Sequence, residues 1–166
     1  MVIVAGAALI SYAATRPGPT DIAEVRSYPS LPRNHVTGTV LYPQTPPVGG
    51  DHNATPLTCG GYEKPVPNEN AAVHSLEHGA VWITYQPGLA AVQLAALKGL
   101  VRGNDYRLLS PYTALPAPIV VTAWGTQLSV SSADDPRLAK FVRVYTQGPT
   151  TPEPGAVCQG VGTPTG

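Results

Sequence analysis

The sequence predicts an α+β domain, a small sheet with two helices on one face, set behind a long proline-rich loop and flanked by proline-rich tails. Three observations predict it. Short β-branched or apolar runs are bounded by Gly and Pro, two segments in the second half repeat apolar residues at helical spacing, and nineteen prolines crowd the remainder. The centre therefore reads strand–helix–strand–strand–helix, and segregated helices over a small sheet are the α+β layout.

Taken in order, residues 2–14 carry no charge. They are too few to span a bilayer, which takes about 20 residues, and no basic residue precedes them as in a secretory leader. They read as a partial membrane anchor or signal remnant, the alternative being a buried helix. Residues 15–33 are polar and proline-punctuated, a linker with one helical turn over Asp21–Arg26. His35–Tyr42 alternates and is β-branched, which predicts a strand. The stretch from Pro43 to Pro67 holds six prolines and four glycines, and reads as a long ordered loop. Asn68 can cap a short helix over Glu69–His78, with Glu69 in its first turn and Gly79 just past its end.

Ala80–Tyr85 is a strand stopped by Pro87. Leu89, Val92, Leu94, Ala96, Leu97 and Leu100 mark the apolar face of a helix that ends before Gly103. Tyr106–Leu109 and Ile119–Ala123 are two further strands, with Gln127–Val130 continuing the second after a bend at Gly125. Pro136 opens a helix carrying Leu138, Phe141, Val142 and Tyr145 at helical spacing, and Gly148 closes it. Trp82 and Trp124 fall in strand segments and are expected in the core. A single domain over residues 34–160 and a tail over 161–166 complete the chain.

Composition excludes several functions. At 166 residues one core is affordable by size, and ten basic residues balance ten acidic ones. A chain without net charge has no field to steer nucleic acid, so DNA and RNA are not expected partners. There is no Gly-x-Ser-x-Gly, phosphate loop or dinucleotide fingerprint, so a serine hydrolase or nucleotide enzyme has no support.

The histidines carry the chemistry. The chain has four, and three of them are His52, His74 and His78. Imidazole is the commonest ligand for zinc and copper. His74 and His78 stand four apart, so on a helix their Cβ atoms are about 5–6 Å apart and can share an ion, whereas on a strand they would be about 13 Å apart. His52 approaches from the glycine-rich turn Gly49–Gly50–Asp51. Glu77 lies between the two helical histidines and is expected to orient an imidazole from behind. His35 is an extra ligand candidate or a plain surface histidine. The alternative for the whole cluster is structural, with each ring bonded to loop carbonyls. His-x-x-Glu-His also spells an inverted zinc-protease motif, but that motif needs a long helix and a downstream acidic ligand on another helix, and neither is legible here.

Cys59 and Cys158 have no Cys-x-x-Cys spacing, and in an oxidising compartment a disulfide is the default, with soft metal ligation as the alternative. The single methionine is Met1, which excludes a thioether site for cuprous ion.

The blocks Pro46-Pro47-Val48-Gly49-Gly50-Asp51-His52, Gly61-Tyr62, Pro65-Val66-Pro67 and Val73-His74-Ser75-Leu76-Glu77-His78-Gly79-Ala80-Val81 together resemble the domain of unknown function 3105. The resemblance extends through Ser110-Pro111-Tyr112, Trp124-Gly125 and Thr151-Pro152-Glu153, and covers residues 34–160. It implies a single-pass, membrane-anchored bacterial protein, often actinobacterial, whose domain faces away from the cytoplasm and whose anchor is longer than residues 1–14. His52, His74, Glu77 and His78 are the motif positions it carries over, and it supplies no activity.

The expectation is thus an extracytoplasmic, membrane-tethered domain at the cell membrane that binds copper or zinc through His52, His74 and His78, for binding, delivery or sensing rather than turnover. Its partners would be the membrane and a protein of a membrane complex. The rivals are a metal-dependent enzyme with an open coordination position, and a metal-free interaction module.

Overall fold

A computed structural model describes residues 22–166. The anchor expected over residues 1–14 and the start of the linker lie outside the described residues. Nine elements follow in order: β1 (Arg26–Ser27), β2 (Gly60–Gly61), α1 (Glu69–Glu77), β3 (Val81–Tyr85), α2 (Ala91–Val101), β4 (Arg107–Pro111), β5 (Ile119–Ala123), β6 (Thr126–Val130) and α3 (Pro136–Tyr145). The strands form one open mixed sheet in the order β1-β6-β5-β3-β4-β2. β3 and β4 are parallel and joined by α2, β2 runs parallel to β4, and the remaining pairs are antiparallel. The chain is α+β.

The period-2 alternation of strands decides what each face of the sheet touches. Val81, Ile83 and Tyr85 of β3 join Leu97 and Val101 of α2 and Leu138, Phe141, Val142 and Tyr145 of α3 in one core. Trp82 and Leu108 point the other way and pack on Leu57, Ala71, Ala72, Val73 and Leu76. So α2 and α3 cover one face, while α1 and the long loop cover the second. A sheet buried on both faces reads as continuous apolar runs rather than clean alternation, which is how Ile119–Ala123 is written.

Several elements differ from expectation. His35–Tyr42 is no strand: Gly38 sits at φ +99°, Leu41 is 92% exposed, and the only ladder contact is an isolated parallel bridge between His35 and His52. The β-branched pattern is present, but the stretch pairs with the His52 turn and not with the sheet. Gln127–Val130 does not continue β5 past a bend. It turns back at Trp124–Gly125 and pairs antiparallel with it, Ala123 opposite Thr126. Val92, counted with the apolar face of α2, is 77% exposed, because that helix buries only Leu97 and Val101 fully against the sheet. From Ile22 onward the linker stretch is part of the folded body, with Ile22 in the core and β1 paired to β6.

The C-terminal segment is docked as well. Cys59 and Cys158 form a disulfide. Beside it the Cys59 amide donates to the Cys158 carbonyl at 3.0 Å, and the Thr58 amide to Val161 at 2.8 Å. Cross-linking residues 99 apart stabilises the fold by about 4–5 kcal/mol in the chain-entropy model, mainly by restricting the unfolded chain. Replacing both cysteines by serine is expected to lower the urea midpoint by an amount equivalent to about 2–5 kcal/mol; an unchanged midpoint would show that the tail docks without the bond.

Candidate metal centre

Helix α1 begins where Asn68 accepts a hydrogen bond from the Ala71 amide at 3.1 Å, and Glu69 occupies its first turn. It ends at Gly79, whose φ of +91° an L side chain rarely adopts and where a Cβ would meet Thr151 within 2.9 Å. The Gly79 carbonyl accepts from the Gln147 amide at 2.9 Å, and the Gln147 side chain donates to the His78 carbonyl, so the end of α1 is tied to the segment after α3. Every residue from Asn70 to Glu77 is buried. Helical spacing explains how: Ala72, Val73 and Leu76 meet the sheet, while Asn70, His74, Glu77 and His78, at i, i+4, i+7 and i+8, face the other way.

That polar face looks into a wall made by the chain around His52. Gly49, at φ +142°, admits the close approach of Leu31 and Trp124, since a Cβ there would lie 2.7 Å from Leu31 Cδ1. The His52 amide donates to Asn34 O at 3.0 Å and Val36 N donates back to His52 O at 2.8 Å, which places His35 beside His52. Asp51 accepts from the Asn34 side chain at 2.8 Å and fixes the same turn.

All four histidines of the chain meet here. The His35 ring stacks on His74 at 4.8 Å between centroids and 13° between planes, while His52 stands edge-on to His74 at 4.8 Å. His35, His52, His74 and Glu77 each offer a donor atom, and these atoms lie within 4.8 Å of one another. The four could hold a metal ion. Glu77, expected behind an imidazole, stands among the donors: its Oε2 is 2.9 Å from His52 Nε2 and 3.9 Å from His35 Nε2. His35, from sequence an extra ligand candidate or a plain surface histidine, is half exposed and belongs to the group. His78 lies outside this set of four, its Nε2 2.8 Å from that of His74.

The proton positions follow from the partners. A carbonyl oxygen only accepts, so a ring nitrogen within hydrogen-bond distance of one must donate. His52 Nδ1 lies 2.7 Å from Gly50 O, His74 Nδ1 2.6 Å from Asn53 O, and His78 Nδ1 2.7 Å from Val157 O. With Nδ1 protonated, a neutral ring presents a bare lone pair at Nε2, and the 2.8 Å contact between His74 Nε2 and His78 Nε2 then needs one proton between the two rings. The carbonyl-fixed tautomer with a bare outer nitrogen is how metal-ligating imidazoles are oriented. His52 Nε2 is buried without a hydrogen-bond partner, close to Glu77 Oε2 but not aligned with it as a donor. Burial, with neighbouring His78, His52 and His35, lowers the His74 pKa to about 4 against the opposing pull of the Asn53 carbonyl. His74 is therefore neutral at pH 7. Glu77 has one further neighbour, the half-exposed Arg33, whose Nε is 3.8 Å from Oε1.

A family model described as Protein of unknown function (DUF3105) matches residues 35–160. The chain belongs to this family. All four histidines, Glu77 and both disulfide cysteines of this DUF3105 chain lie inside the matched stretch. No curated protein and no solved structure matches it significantly. Among the described residues, no helix is long and apolar enough to cross a membrane.

The depressed pKa of His74 has a consequence for stability. Between its unfolded value of 6.5 and its folded value of about 4, the unfolded chain binds the proton that the folded one refuses. Its contribution is therefore present above pH 6.5 and lost as pH falls toward 4, up to about 3 kcal/mol. The urea midpoint of metal-free wild type is expected to fall more steeply across this window than that of His74→Gln; parallel slopes would contradict the assignment.

Proposed function

We propose that this chain is an extracytoplasmic, membrane-tethered domain that holds one transition-metal ion, copper or zinc, for binding, delivery or sensing. His35, His52, His74 and Glu77 are the ligands. One observation carries the reading: His52 Nε2 is buried, lacks a hydrogen-bond partner and stands 2.9 Å from Glu77 Oε2. With Nε2 unprotonated these are two acceptor atoms, and held that close in a buried place they repel each other unless a proton or a metal ion lies between them. A tetrahedral zinc with bonds of about 2.0–2.1 Å would space its ligands roughly 3.3 Å apart, so modest ring movements bring these donors onto one ion.

The donor set selects the class of metal. Imidazoles with one carboxylate suit zinc and cupric ion. The two cysteines are held in a disulfide and cannot supply thiolates. The disulfide also supports an oxidising compartment outside the cytoplasm. The tether rests on the uncharged residues 2–14, and a protein of a membrane complex is the proposed recipient or source of the ion.

A second reading, a metal-dependent enzyme, draws on His35. Its side chain is 49% exposed while His52 and Glu77 are buried, so one coordination position could open to a substrate or water. The third, a metal-free interaction module, predicts no ion at all.

Elemental analysis of purified protein separates them. Wild type is expected to carry one equivalent of zinc or copper. His52→Ala, His74→Ala and Glu77→Gln should each retain less than a tenth of it, and His78→Ala should keep it. Loss in His78→Ala with retention in Glu77→Gln would restore the ligand set His52, His74 and His78. Folded wild type that takes up neither metal would end the proposal.

A further inference from the structure

We infer that a cation reaches the buried cluster along Glu153 and His78, and not past His35. The inference rests on the metal-binding reading above. The cluster meets solvent at two ends of opposite charge. At one end stand His35 and Arg33, with side chains 49% and 53% exposed. The Arg33 guanidinium there, with Nε 3.8 Å from Glu77 Oε1, repels an approaching divalent ion on that side. At the other end Glu153 is 51% exposed, with Oε2 3.7 Å from His78 Nε2. An exposed carboxylate beside a largely buried imidazole raises the local cation concentration and the rate of capture.

The inward steps are short. From Glu153 the next donor is His78 Nε2, and from there His74 Nε2 lies 2.8 Å further in, within the ligand set. An ion moving inward displaces to solvent the proton that joins His78 Nε2 to His74 Nε2, and exchanges one donor for a neighbour less than 4 Å away at each step. His78 stands between the outer carboxylate and the ligand set. Its Nδ1 is held by Val157 O at 2.7 Å in the manner of the ligating rings, yet it lies outside the group of four. The same segment fixes the outer carboxylate, because the Glu153 amide donates to Glu77 O at 3.1 Å and the disulfide at Cys158 follows Val157 directly.

The test is stopped-flow transfer of zinc from a chromogenic chelator to the full, metal-stripped chain. Glu153→Gln is expected to slow the second-order loading rate about fivefold at low ionic strength, a difference that shrinks in 0.5 M salt, with the end point still near one zinc. Arg33→Gln should load at least as fast as wild type. His78→Gln should slow loading more than tenfold, and slow release by a similar factor. Loading of Glu153→Gln at the wild-type rate, or an equal slowing in Arg33→Gln, overturns the route while leaving the site itself intact. Wild type that never takes up zinc or copper removes the site and the route together.

Discussion

A buried carboxylate surrounded by imidazoles whose Nδ1 atoms are already committed to backbone carbonyls must be balanced by positive charge. Glu77 is 2% exposed and His52 is fully buried. Moving such a group out of water costs several kcal/mol unless it is paired, and the one guanidinium nearby is half exposed and 3.8 Å away. The rest of the architecture follows from keeping these groups together. The wall around His52 is pinned by backbone bonds at Asn34 and Val36, α1 is buried along its length, and the C-terminal segment supplies the carbonyl that orients His78.

The fold serves the site by unequal division of labour between the two faces of the sheet. On one, α2 and α3 complete an apolar core. On the other, α1 uses its apolar side to adhere to Trp82 and Leu108, which frees its polar side to face the loops. Those loops have little regular structure of their own. They are held by cross-connections, namely the disulfide, the Leu57–Val161 bridge and the Tyr42 hydroxyl on Asp51 O at 2.8 Å. A proline-rich segment loses less conformational entropy on folding, which suits a long stretch that must be ordered without a ladder.

The two charged ends of the cluster give it a direction. Glu77 connects to Arg33 on one side, and His74 connects through His78 to Glu153 on the other.

What the sequence determined by itself was local. The spacing of His74, Glu77 and His78, the Asn68 cap and the Gly79 stop specify a short helix with one polar face, and the apolar period of residues 136–145 specifies α3, because these depend on neighbours within a few residues. The proximity of His52 to that helix could be suspected from composition. Tertiary structure alone decided the rest. Whether His35–Tyr42 becomes a strand depends on a tertiary partner, and the stretch bridges to His52 and not to the sheet. Whether Glu77 stands behind an imidazole or among the donors depends on where the loop carrying His52 and the His35 stretch close over α1. That closure is fixed by bonds between residues far apart in the chain, which no local pattern encodes.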